Sequence, residues 1–147
     1  LVSRAIALAL AYKMDLVARD ELDARGDRMV LNLGHTFAHV FESGSGYEVS
    51  HGRAVGWGLV VAARVSHSLG FCDDGLPHLV ESLATSLGLW PPGSLELPMP
   101  SLEALLHDKK LGEGGLRLVL LEAPGRPVLV EVMPERVKKL LLSSMKL

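Results

Sequence analysis

Apolar residues recur at a helical period through most of this chain. Val2, Ala5, Ile6, Ala9, Leu10, Met14, Val17 and Ala18 share one repeat and predict a helix over 2–22, with Ser3 as its candidate cap. Its other faces are also rich in Ala and Leu, so this helix is expected to be buried on most sides. A second helix is expected over 29–42, stopped by Ser43-Gly44-Ser45-Gly46. A third runs from His51, behind the cap residue Ser50, to Leu69 and ends at Gly70. Its interior glycines, Gly56 and Gly58, each weaken helicity by about 1 kcal/mol, which makes sense where another backbone or a ligand comes close. Pro77 opens a fourth helix ending near Gly88, Pro91-Pro92-Gly93 breaks the chain, and Ser101 caps a short helix to His107. The period then changes. Residues 116–121 and 128–132, separated by a Pro/Gly-rich turn, predict a hairpin, and Pro134 starts a closing helix. The expected fold is mainly α, a multi-helix domain over 1–147 with one short β-hairpin.

Composition narrows the function classes. With 48% hydrophobic and 5% aromatic residues, the core must be mainly Leu, Val and Ala. A mean hydropathy of +0.28 is high for a domain of this size and suggests burial against another domain or subunit. The longest apolar-plus-glycine run, 54–63, is far short of the roughly 20 residues that span a bilayer, so no membrane partner is expected. Fifteen Lys and Arg against seventeen Asp and Glu, with no basic block, give little support to a nucleic-acid partner. Cys72 is the single cysteine, which excludes an internal disulfide and fits a reducing cytoplasm. A first residue that is Leu and not Met suggests a processed or truncated polypeptide.

Candidate chemistry concentrates in residues 31–54, which hold His35, His39 and His51, half of the six histidines. His35 and His39 are four residues apart and share a helix face, a spacing that suits metal binding by neutral imidazoles. His51 follows a glycine-rich turn and opens a helix, where the positive dipole end disfavours an imidazolium and keeps a lone pair free. The competing reading of a His-x-x-x-His pair is coincidence on a helix surface or core edge. His67, His78 and His107 have no such company and read as ordinary surface or hydrogen-bonded residues. Arg28 and Asn32 lie seven and three residues before His35 and would repeat on its face, as a wall for an anionic, oxygen-rich substrate. Lys13 is either a lysine whose stem lies on the core while its amine reaches water, or a cation kept for an anionic ligand. Lys13, Lys109 and Lys110 would reach this site only through the fold.

Asn32-Leu-Gly-His35-Thr-Phe-Ala-His39, followed sixteen residues after His35 by His51-Gly52-Arg53-Ala54-Val55, resembles the signature of 3-dehydroquinate synthases. The likeness extends upstream to Lys13, the acidic 20–23 run and Arg28, and downstream to Asp108-Lys109-Lys110 and the hairpin. The resemblance implies that His35 and His51 bind a catalytic divalent metal, zinc or alternatively cobalt, while His39 is an acid–base neighbour of the substrate. It assigns Lys13, Arg28, Asn32 and a lysine of the 109–110 pair to substrate binding, and Asp23 to proton acceptance. The implied reaction converts 3-deoxy-D-arabino-heptulosonate 7-phosphate to 3-dehydroquinate and phosphate in aromatic amino-acid biosynthesis, with NAD as redox cofactor.

Several features depart from the family pattern. No glycine-rich turn between a strand and a helix is present, so the N-terminal α/β nucleotide-binding domain, which holds NAD and a third, glutamate metal ligand, is expected to be absent from this chain. Ala38 stands where glycine is common, Arg53 where glutamate usually follows His-Gly, and the segment between Lys13 and Arg28 is one residue longer. The expectation is a C-terminal metal- and substrate-binding domain, inactive alone and homodimeric when complete. A related sugar-phosphate cyclase or metal-dependent polyol dehydrogenase is the alternative, and a non-enzymatic helical binding domain a further one.

Overall fold

The structure, a computed structural model, describes residues 2–21, 26–90, 101–103 and 115–144. The chain divides into two compact units, 1–32 and 33–147.

In the first unit, α1 (Val2–Arg19) is followed by a 3-10 helix, Asp27–Asn32, that packs against it. Helix α1 stops three residues earlier than its periodicity suggests, closing on an Arg19–Asp15 ion pair at 2.7 Å. The expectation of burial on most sides is not met: none of its residues is buried, and Val2, Ile6, Leu8 and Met14 are all more than 60% exposed. Apolar side chains run right round this helix, and the six-residue 3-10 segment of its own unit is too short to cover them.

The second unit is built on one central helix. Helices α2 (His35–Gly44), α3 (His51–Ser68), α4 (Gly75–Ser86) and α5 (Pro134–Ser144) combine with strands β1 (Leu116–Ala123) and β2 (Arg126–Val132). Helix α3 touches α2, α4, α5 and β1. Its Ala54, Val61, Ala62 and Val65 meet Phe37, Val40 and Phe41 of α2, Leu118 and Leu120 of β1, and Val137 and Leu141 of α5 in one core. The hairpin is antiparallel, pairing Leu116 with Val132 and Leu120 with Val128, and turns through Pro124-Gly125, where Gly125 takes a positive φ. It is longer than the pattern suggested, because β1 extends past Leu121 through a register irregularity before Ala123. Buried Ser66 stitches the sheet to α3: its hydroxyl donates to Ala62 O at 2.7 Å and accepts Leu121 N–H at 2.9 Å. A smaller cluster of Val60, Ala84 and Trp90 joins α3 to α4. There Trp57 Nε1 donates to Leu89 O, and Arg64 pairs with Glu81 at 2.7 Å while lying over the Trp90 ring.

The single helix expected over 29–42 is two elements. Gly34, at φ +80°, breaks it, because a left-handed residue cannot continue a right-handed helix. The break has a packing cause. A β-carbon on Gly34 would stand 3.0 Å from Leu59 N, and one on Gly58 would stand 2.0 Å from Gly34 O. The start of α2 thus rests directly on the backbone of α3. At Gly56 the close neighbour is the Leu89 side chain and not the backbone or ligand expected there. Among the described residues no helix is long and apolar enough to cross a membrane.

Candidate metal centre

Helix α2 is two-faced. Phe37, Ala38, Val40 and Phe41 are buried in the core, while His35, His39 and Glu42, at a spacing of four then three, line the opposite face. The turn between α2 and α3 then brings His51 back to that face. It passes through Gly46 at φ +62° and Tyr47 at φ +66°, with Tyr47 N–H donating to Glu42 O at 2.7 Å. Two consecutive left-handed residues make the reversal tight. Ser50 stands at the N-cap of α3 as the pattern suggested, although its hydroxyl makes no capping bond.

The reversal sets the imidazoles of His35 and His51 side by side, ring centroids 5.3 Å apart and tilted by 55°. His35 Nδ1 lies 3.3 Å from Leu33 O, and His51 Nδ1 lies 2.8 Å from Glu42 Oε1. The second oxygen of the same carboxylate, Oε2, is 3.0 Å from His39 Nδ1. The Glu42 side chain is only 12% exposed, whereas those of His39 and His51 are 67% and 60% exposed. The hydrogen bond from His51 is the main cause holding the Glu42 carboxyl below its usual range; the His39 bond adds to it and desolvation opposes it.

These partners determine which nitrogen is free. A carbonyl oxygen and an ionised carboxylate are acceptors only, so in the neutral ring each Nδ1 must carry the hydrogen. The lone pairs of His35, His39 and His51 then sit on Nε2, the form a divalent metal or a proton requires. His35 and His51 therefore fit the ligand role in donor chemistry, with outer partners of the kind that fix ring orientation at metal sites. Among the described residues no set of three His, Cys, Asp or Glu side chains is arranged to hold an ion.

A family profile described as 3-dehydroquinate synthase C-terminal matches residues 1–111. The chain belongs to the 3-dehydroquinate synthase family. Curated 3-dehydroquinate synthases agree: that of Dehalococcoides mccartyi (strain 195) is 39% identical over 127 residues, covering 86% of this chain and 35% of its own length. That of Acinetobacter baylyi is 38% identical over 141 residues, covering 95% and 38% respectively. The chain thus spans well under half the length of these relatives. Among solved structures, a 2-deoxy-scyllo-inosose synthase complexed with carbaglucose-6-phosphate, NAD+ and Co2+ shares the fold at TM-score 0.75 and 22% identity, over 91% of this chain and 40% of its own. A 2-epi-5-epi-valiolone synthase from Streptomyces hygroscopicus with NAD+ and Zn2+ bound does so at TM-score 0.69 and 20% identity, over 89% and 36%. The mainly helical 3-dehydroquinate synthase-like C-terminal fold expected from the sequence is the one observed.

The remaining candidate residues fare differently. Lys13 is exposed on α1 and Asn32 is exposed at the end of the 3-10 helix. Arg28 lies within that helix; its Nη1 reaches Glu21 O at 3.5 Å, and its Nε is buried with no hydrogen-bond partner among the described residues. Arg28 and Asn32 do not share a helix face with His35, because Gly34 ends the run between them. Asp23, Lys109, Lys110 and His107 lie outside the described residues. His67 is an ordinary hydrogen-bonded histidine, with Nδ1 3.2 Å from Cys72 O, and His78 is exposed. Sequence reasoning missed Glu42. Its position seven residues after His35 and three after His39 was the available signal, but the link to His51 depends on the turn.

Proposed function

We propose that residues 1–147 form the metal- and substrate-binding domain of a 3-dehydroquinate synthase, which completes its active site with an N-terminal NAD-binding domain. The complete enzyme converts 3-deoxy-D-arabino-heptulosonate 7-phosphate to 3-dehydroquinate and phosphate in cytoplasmic aromatic amino-acid biosynthesis, as a homodimer. The reading is carried by one observation: two adjacent imidazoles, His35 and His51, with both Nδ1 atoms bonded and both Nε2 atoms left for an ion. When bound, NAD supplies reversible oxidation of a ring hydroxyl and the divalent metal, zinc or cobalt, polarises the substrate's oxygens. This chain's own residues position and move protons. The guanidinium of Arg28, whose buried Nε has no hydrogen-bond partner among the described residues, suits a carboxylate or phosphate oxygen, and Lys13, Asn32 and a lysine of the 109–110 pair share the substrate-binding role that the family resemblance implies. His39 offers an Nε2 lone pair to a substrate proton, and Asp23 is a second proton acceptor.

Metal analysis of the wild-type chain against His35→Ala and His51→Ala tests the site: bound zinc or cobalt should fall in both variants, and unchanged metal would sink the reading. Phosphate release with NAD and substrate should occur with the complete enzyme and not with the 147-residue chain. Arg53, exposed two residues after the ligand His51, favours a second reading as a related sugar-phosphate cyclase. A substrate panel on the complete enzyme separates the two.

A further inference from the structure

The Glu42 carboxylate has two oxygens, and each is taken by a different imidazole: Oε1 by His51 and Oε2 by His39. It is enclosed at 12% exposure, and the two rings it holds are otherwise largely open to solvent. An exposed imidazole with no partner favours hydrogen on Nε2, which would leave no lone pair there. We infer that Glu42 is a positioning residue that sets the tautomer of two histidines at once, one a metal ligand and one a substrate-side base. The inference deepens the proposed metal-site reading and rests on it for the ligand role of His51.

The arrangement has a specific logic. A carboxylate is acceptor-only and can satisfy two Nδ1–H donors with its two oxygens, a task no neutral side chain of its length performs. Glutamine offers one carbonyl oxygen and one amide nitrogen, so it can hold one ring in this tautomer and not both. Alanine holds neither. Nothing in the packing of the buried α2 face requires a charge at this position, since Phe37, Val40 and Phe41 make that contact from the opposite side.

The test is a long-range 15N–1H correlation spectrum of the histidine side chains in the full chain, at a pH where the imidazoles are neutral, for wild type, Glu42→Gln and Glu42→Ala. Wild type should show His39 and His51 as Nδ1–H. Glu42→Ala should move both toward Nε2–H, and Glu42→Gln at least one, while His35, held by Leu33 O, stays unchanged. Cobalt affinity, read by its visible absorption, should fall about 10- to 100-fold in Glu42→Gln. Nε2–H as the major form of both rings in wild type would overturn the inference without any variant. Unchanged tautomers in the two variants, with cobalt binding still lost in His51→Ala, would overturn it alone. Unchanged cobalt affinity in His51→Ala would instead remove the metal reading, and the ligand half of the inference with it.

Discussion

Helices α1 and α3 are both 18 residues long, yet α1 buries none of its residues and α3 buries nine. Apolarity does not explain the difference, since α1 is dense in Ala and Leu while α3 carries three glycines, an arginine pair and two histidines. What separates them is the surface each meets. Helix α3 is contacted by α2, α4, α5 and β1, and its glycines let the start of α2 and Leu89, just beyond α4, come close. Among the described residues of its own unit, helix α1 meets a short 3-10 segment and no other helix or strand. Hydrophobic content states how much area a helix can bury; the partners determine how much it does bury.

Substitutions that attack α3's fit should break this contrast hardest. Gly58→Ala places a β-carbon 2.0 Å from Gly34 O, so denaturant unfolding should show a loss of about 3 kcal/mol, the upper end for overpacking. Ser66→Ala leaves the buried Leu121 N–H without its acceptor, and the same assay should register about 2 kcal/mol. A smaller effect is confined to acid. Because the folded Glu42 carboxyl is held below its ordinary value of 4.5, chiefly by the His51 bond, its stabilisation is present above that value and lost as pH falls through the lowered one. Stability measured from pH 6 to pH 3 should therefore decline less steeply in Glu42→Gln than in wild type. Smallest of all, Leu8→Ala on α1, 63% exposed, should stay within about 0.5 kcal/mol. A cost as large as that of Ser66→Ala would show that α1 has a partner in solution and would undo the comparison.

Periodicity made α3, the hairpin and the Pro134 helix legible, because each is bounded by glycine, proline or serine at a place where backbone chemistry is local. The break at Gly34 was not legible. Arg28, Asn32 and His35 keep helical spacing across it, and only the approach of α3's backbone reveals why the helix must stop. The burial of α1 was misjudged for a related reason: the pattern reports an apolar surface and is silent about what covers it. In the site, the three histidines were visible from spacing and from the family signature. Glu42 was not, because its second bond spans nine residues and exists only once Gly46 and Tyr47 have turned the chain back.

That contact of glycine on backbone has a further consequence. His35 follows Gly34 directly, and His51 begins the helix that carries Gly58, so the two imidazoles hang from main chains already in contact. How closely those two main chains approach is set by a carbonyl oxygen against a glycine rather than by the shape of any core side chain. Exchanging Leu, Val or Phe in the core for other apolar residues should therefore disturb this backbone contact little. A mutational scan should find the site tolerant to repacking behind it and intolerant at the two glycines, much as a hinge tolerates a repainted door but not a thicker pin.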